Sequence, residues 1–149
     1  LSKLEFLSSL GFSKGIIKMY FFRHVMVGAN DLDESKKFYD ALFGVLGVPS
    51  GKTEGEKCRW LGQGGQFLIK LPINGEPATN ANGGTIGFNC SSKAMVDQWY
   101  AAGMSNGGIS ITPPKLDNRG VYKLYLSYIR DPVGNKLNAS YQLPKEGTV

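Results

Sequence analysis

The sequence predicts an α+β fold in which two similar β-α-β-β-β modules form one domain. Three observations support this fold class. The order strand, helix, strands occurs twice along the 149 residues, which is a half-length internal repeat. The two helical segments are too few, and the strands too closely linked by turns, for a doubly wound parallel sheet. The 20 glycines and 7 prolines agree with many turns and short strands.

The first module begins with a strand predicted over residues 21–28, FFRHVMVG. Val25 and Val27 fall on one face of this strand, and His24 and Met26 fall on the other. His24 is the only histidine of the chain. Its imidazole is a candidate metal ligand, a candidate acid–base or ligand-binding group, or a strand residue with an ordinary hydrogen bond.

A helix is predicted over residues 31–47. Asp31 can cap its first turn, Glu34 completes a capping-box-like start, and Gly47 offers a stop. The residues between them that recur at helical spacing are Leu32, Ser35, Phe38, Tyr39, Leu42, Phe43, Val45 and Leu46. Two short strands follow at 56–62 and 66–72, joined by a glycine-rich hairpin turn.

The second module repeats this order after a polar loop. Residues 83–90 predict a strand with Ile86 and Phe88 on one face. Ser91 or Ser92 caps the helix that follows.

That second helix is expected to end at the pair Gly107-Gly108. Long strands are predicted at 121–131 and 135–142. The intervening segment 111–120, ITPPKLDNRG, is interpreted as a loop that acts as a lid over a ligand site.

Composition excludes several functions. No apolar run approaches the roughly 20 residues that span a bilayer, so we expect no membrane partner. The formal net charge is +5, but the 17 Lys and Arg are scattered and form no nucleic-acid module. Cys58 and Cys90 lack CxxC spacing, which predicts two free thiols and a cytoplasmic location.

Residues 1–18 lack a continuous apolar core, so they do not predict a secretory signal. We interpret residues 1–18 as an extension outside a single domain at 19–149. Within that domain the modules occupy about 19–78 and 83–143.

Three segments resemble one known superfamily in consistent order. They are FRHVMVGANDLDESKKFYDALFGVLG at 22–47, TIGFNCSSKAMVDQWYAAGMSNGG at 85–108 and YLSYIRDPVGNKLNASYQ at 125–142. They are similar to the glyoxalase, bleomycin-resistance and extradiol-dioxygenase proteins, also called vicinal oxygen chelate proteins. This resemblance implies a curved sheet in each module around a ligand cup, with the helices on the outer face. It directs His24, Thr85 and Asn138 toward the cup.

The same resemblance implies a metal site drawn from four strands, usually with His, Glu or Gln ligands. His24 matches one ligand position, but Thr85 and Asn138 occupy two others. The fourth position falls in 66–72, where Gln66 and Lys70 are the polar candidates. One imidazole among neutral oxygens and a lysine does not hold a divalent ion well. We therefore predict no metal ligands and no cofactor.

Aromatic side chains on the predicted strands are candidates for the cup wall. We expect Trp60 and Tyr125 to line it together with Arg59, giving a surface that stacks a planar group and attracts an anion. Tyr122, Tyr128 and Tyr141 are further candidates, although each also suits core packing, and Lys123 is a second nearby cation.

The sequence predicts a small-molecule binding protein for a neutral or anionic, partly aromatic ligand. The positive net charge disfavours a cationic drug of the bleomycin type. The alternatives are a metal-dependent lyase, isomerase or dioxygenase of glyoxalase type, and an interaction module with a vestigial cup. Catalysis is left open, and no catalytic residue is assigned. The resemblance also implies pairing of modules or chains, so we predict a homodimer.

Overall fold

A computed structural model describes residues 21–145 of the chain. This part forms β1 (His24–Gly28), α1 (Leu32–Val45), β2 (Lys52–Glu54), β3 (Lys57–Gly62), β4 (Gly65–Lys70), β5 (Ile86–Asn89), α2 (Lys93–Ser105), β6 (Ile109–Arg119), β7 (Tyr122–Arg130) and β8 (Lys136–Gln142). The predicted α+β fold with two β-α-β-β-β modules is confirmed. The predicted extension at 1–18 lies outside the described residues.

The strands form two four-stranded sheets, one for each module. Their orders are β1-β4-β3-β2 and β5-β8-β7-β6. The first strand of each module pairs in parallel with the last, β1 with β4 and β5 with β8. The other pairs of neighbouring strands in residues 21–145 are antiparallel. The single helix of each module provides the crossover connection that follows its first strand.

Local capping chemistry sets the bounds of both helices. The Asp31 carboxylate accepts a hydrogen bond from the Glu34 backbone N–H at 2.8 Å, and Gly47 follows α1 with a φ of 77°. The Ser92 hydroxyl caps α2 by accepting from the Met95 N–H at 3.1 Å, which decides between the two predicted serines. Neither helix within residues 21–145 has the length and apolar character needed to cross a membrane.

Both modules contribute to one hydrophobic core. Phe88 of β5 contacts Phe43 of α1 and Phe67 of β4, with ring centroids 5.3 and 6.0 Å apart. The side chains predicted to face the helices pack against this core: Val25, Val27, Ile86 and Phe88. The helices and the helix-facing sides of both sheets therefore form a single packed unit.

Two strands were not predicted. The short strand β2 pairs with β3 at the edge of the first sheet. The segment 111–120 was wrongly interpreted as a lid, because most of it belongs to β6 and pairs with β7. Pro113 and Pro114 lie where the register shifts between Thr112 and Lys115. Proline lacks an N–H group but is tolerated at such irregularities of an edge strand.

Candidate functional site

The face of each sheet opposite the helices, here called the open face, carries His24 and Arg59 on the first sheet and Asn138 on the second. On the first sheet, strand register arranges the side chains in three rows. The rows are Gly28-Lys70-Lys57-Glu54, Met26-Leu68-Arg59-Lys52 and His24-Gln66-Leu61. The core packing of Val25, Val27, Phe67 and Ile69 on the opposite face fixes this orientation.

His24 begins β1 at the end of the open face. It lies opposite Gln66 in the parallel pairing of β1 with β4, so the imidazole and the amide are lateral neighbours. The side chain is exposed, and no hydrogen-bond partner for it occurs among the described residues. Within the described part of the chain, the His24 imidazole is therefore exposed and not held by a hydrogen bond.

Arg59 occupies the middle row, opposite Leu68 on one side and Lys52 on the other. Its guanidinium donates to the Glu54 carboxylate at 2.9 Å. Met26 and Leu61 are exposed neighbours, at 45% and 61% of their full accessible surface. This open face thus combines an apolar centre with an imidazole, an amide and several cations.

The second sheet presents Asn138 in a corresponding way. Asn138 lies between Gly87 of β5 and Tyr128 of β7, and its amide donates to the Ser127 carbonyl at 3.0 Å. Thr85 is exposed and lies one residue before β5.

His24 and Arg59 belong to the first sheet, whereas Asn138 belongs to the second, and no strand pairing joins the two sheets. Within the described part of the chain, no hydrogen bond brings His24 together with Thr85 or Asn138. Their convergence in one ligand cup stays a prediction.

Two predicted cup residues face the helices instead. Trp60 is 2% exposed, and its indole N–H donates to the Asp40 carboxylate of α1 at 2.8 Å. The Tyr125 hydroxyl donates to the Asp97 carboxylate of α2 at 2.8 Å. The expectation that they line the cup is wrong, because strand alternation turns both toward the core that the helices cover.

Like Tyr122, Tyr128 lies on the open face of the second sheet. It pairs with Asn138, accepts a hydrogen bond from Arg119 at 3.1 Å, and has the Lys136 ammonium 4.7 Å from its ring centroid. Lys123, the second cation expected near the cup aromatics, lies on β7 of the second sheet. Alternation places Tyr128 with Leu124 and Leu126 and places Tyr125 with Ile129, and both faces of β7 carry a fully buried apolar side chain, so no sequence signal separates the two tyrosines.

The donor set does not fit a divalent metal. The positions that the family resemblance assigns to ligands hold one imidazole, a threonine and an asparagine, and the Asn138 amide already donates to the backbone. Among residues 21–145, no group of three or more His, Cys, Asp or Glu side chains is arranged to hold a metal ion. No chemical step is therefore assigned to a metal here.

The cysteines do not provide a nucleophile. Both are buried, and burial raises the pKa of Cys58 and raises that of Cys90 to about 11. The thiolate, which is the reactive form, is therefore scarce near neutral pH.

The described residues include two cavities of about 170 and 450 Å³. The larger is lined by Ala29, Asn30, Glu56 and residues of the 71–77 loop, so it lies at the end of the first sheet where β1 and β4 end, and its lining includes none of the predicted site residues.

Comparisons with known proteins agree with this fold. The family model of the Glyoxalase/Bleomycin resistance protein/Dioxygenase superfamily matches residues 22–139. The chain belongs to this superfamily, as its sequence motifs suggested. No curated protein matches the chain.

Solved structures extend the comparison. A glyoxalase/bleomycin resistance protein from Albidiferax ferrireducens T118 is 49% identical with a TM-score of 0.78, and the match covers 80% of this chain and 98% of that one. A glyoxalase-related enzyme from Fulvimarina pelagi is 19% identical with a TM-score of 0.67, covering 83% and 88%. A lactoylglutathione lyase from Agrobacterium tumefaciens is 22% identical with a TM-score of 0.52, covering 80% and 92%; it supports the fold alone.

Proposed function

We propose that the protein binds a partly aromatic small molecule on the open face of its first sheet, without a metal ion. The observation that carries this proposal is the arrangement of the three rows. Exposed Met26 and Leu61 flank Leu68, with His24 and Gln66 on one side and cations on the other. A planar ligand gains apolar contact at the centre and polar contacts at the border.

The exposed apolar side chains give the first test. The neutral fluorophore N-phenyl-1-naphthylamine serves as the probe, and its fluorescence is titrated with the full chain. Met26→Gln with Leu61→Gln is expected to weaken binding about fivefold or more, because apolar contact area is lost. The control is Ile73→Gln with Val121→Gln, which changes two apolar residues elsewhere that are even more exposed, at 93% and 81% of their full accessible surface. Equal affinity in both double variants would overturn the proposal.

The absence of a metal is a separate part of the proposal. It rests on the donor set, in which Thr85 and Asn138 present neutral oxygens and Lys70 would repel a cation. Metal analysis of protein purified without chelator is expected to find less than stoichiometric divalent metal. One tightly bound divalent ion per chain would instead favour a metal-dependent enzyme. A cytoplasmic location, where both buried thiols stay reduced, belongs to the same proposal.

We further propose that two copies of the chain associate. Both sheets leave apolar side chains exposed in the single chain, including Met26 on β1 and Ile109 and Leu116 on the edge strand β6. An exposed strand edge with apolar side chains favours pairing with another chain. Light scattering at micromolar concentration is expected to give twice the chain mass. A strictly monomeric mass contradicts this part of the proposal.

A further inference from the structure

We infer that Lys57, Lys70 and Arg59 form an oxyanion subsite on the open face of the first sheet, for a carboxylate or phosphate group of the ligand. This inference rests on the proposed ligand-binding role of that face and specifies the charge of the ligand. It is based on positively charged side chains that lie directly opposite each other on neighbouring strands.

Lys57 of β3 and Lys70 of β4 are direct partners in the antiparallel register, so both ammonium groups rise from the same face. Arg59 and Lys52 are direct partners in the next row. Like charges directly opposite each other destabilise a sheet unless something else compensates them. Two adjacent rows each contain such a like-charged pair, so an anion bound over them would reduce the repulsion and stabilise the sheet.

The carboxylates within residues 21–145 do not fully compensate these charges. Glu54 lies 2.9 Å from Arg59 and 3.8 Å from Lys57, so one carboxylate is shared between two cations. Among residues 21–145, no carboxylate lies within ion-pair distance of Lys70 or Lys52. The part of this face near β4 is therefore left with uncompensated positive charge.

The position of the charge relative to the apolar centre specifies the ligand. Leu68 lies between Gln66 and Lys70 on the same face of β4, and it is paired with Arg59. A ligand with its planar body over the exposed Met26, beside the largely buried Leu68, would place a substituent on one side near Lys70 and Arg59. The oxyanion thus belongs to one end of an amphipathic ligand rather than to a free ion.

The test compares two probes with the same aromatic body. The anionic probe is 1-anilinonaphthalene-8-sulfonate, and the neutral probe is N-phenyl-1-naphthylamine. Lys57→Gln with Lys70→Gln is expected to weaken anionic-probe binding about five- to tenfold at low ionic strength and to leave neutral-probe binding unchanged. The control, Lys37→Gln with Lys93→Gln, removes the same charge from exposed positions on the helices. Equal losses of anionic-probe affinity in both double variants would refute the subsite.

Stability provides a second readout that does not depend on the probe. Because Lys57 and Lys70 repel each other, Lys70→Gln is expected to raise Tm by roughly 1 to 3 °C in low salt without ligand. An unchanged or lower Tm contradicts the repulsion on which the inference rests. Displacement of the anionic probe by benzoate identifies a carboxylate ligand, and displacement by phenyl phosphate identifies a phosphate ligand. Displacement by neither refutes the subsite.

If the proposed function itself fails, the neutral probe does not respond to Met26→Gln with Leu61→Gln. If only the subsite fails, that response remains while the two lysine double variants behave alike. The two failures are therefore distinguishable.

Discussion

At the scale of single residues, Asp40 fixes the second half of α1 to Gly51 and to Trp60 of β3. Its carboxylate accepts hydrogen bonds from the Trp60 indole and the Gly51 N–H, each at 2.8 Å, and also pairs with Lys36. Partial burial alone would raise the pKa of Asp40, but the hydrogen bonds from Lys36, Gly51 and Trp60 outweigh it and lower that pKa. Trp60 is therefore a structural residue, which explains why its predicted role in the cup was wrong.

Asp40→Asn is expected to lower the free energy of unfolding by about 1 to 3 kcal/mol at pH 7, because the charged acceptor is lost. Since the folded state lowers the pKa, this contribution is complete above the ordinary value of 3.8 and is lost as pH falls through the lowered pKa. Urea unfolding of both proteins between pH 7 and about pH 3 measures the difference. Glu76→Gln, at an exposed loop carboxylate, is the control. A wild-type advantage that does not shrink below about pH 4 contradicts the assignment.

At the scale of elements, α2 packs closely through Gly103. A Cβ added there would lie 2.5 Å from Ile129 Cδ1 and 3.3 Å from Leu42 Cδ2. Both neighbours are fully buried, so they have little room to move. Gly44 of α1 offers the opposite case, since an added Cβ there meets no atom within 4 Å.

Gly103→Ala is expected to destabilise the protein by about 1 to 3 kcal/mol, because overpacking outweighs the gain in helix propensity. Gly44→Ala is expected to stabilise it by up to about 1 kcal/mol, since only the propensity changes. Urea unfolding of the two variants checks the signs. The same sign for both would show that helix propensity, and not the packing of α2, decides the effect.

Local capping residues made the helices predictable from the sequence. The neighbours of each strand, and the face on which each strand side chain lies, depend instead on pairing between distant strands. The Asp31 cap and the Gly47 stop lie next to the two ends of α1, so both signals are local in the sequence. The segment 111–120 was interpreted as a loop, and its place as the edge strand β6 follows only from its pairing with β7. Alternation alone did not show which face of β7 meets the helices, so Tyr125 was chosen where Tyr128 faces outward. The neighbours Lys57 and Lys70 likewise come together only through the β3–β4 register.

At the scale of the whole molecule, a buried hydrogen bond joins the two modules. The Tyr39 hydroxyl of α1 donates to Asp131 Oδ2 at 2.6 Å, and Asp131 belongs to the turn between β7 and β8. The other oxygen of Asp131 accepts from the N–H groups of Val133, Gly134 and Asn135. This aspartate therefore organises its own turn and fixes that turn to the opposite module, which gives the RDPVGN segment at 130–135 a structural role.

Tyr39→Phe removes the link between the modules and keeps the ring. It is expected to lower the free energy of unfolding by about 1 to 3 kcal/mol at pH 8, because Asp131 loses a buried donor. Burial and the Asp131 carboxylate raise the pKa of Tyr39 well above its ordinary value of 10.0. The stability from this group is therefore complete below pH 10 and is lost as pH rises toward the raised pKa.

The wild-type advantage over Tyr39→Phe is thus expected to shrink above about pH 10, as measured by urea unfolding at pH 8 and at higher pH. Tyr122→Phe, at an exposed tyrosine of β7, is the matched control. It is expected to keep the wild-type free energy of unfolding at pH 8 and at higher pH. Near- and far-ultraviolet circular dichroism are expected to report one coincident transition, since the modules share one core. Two separate transitions in the wild type would mean that the Tyr39–Asp131 hydrogen bond does not unite the modules.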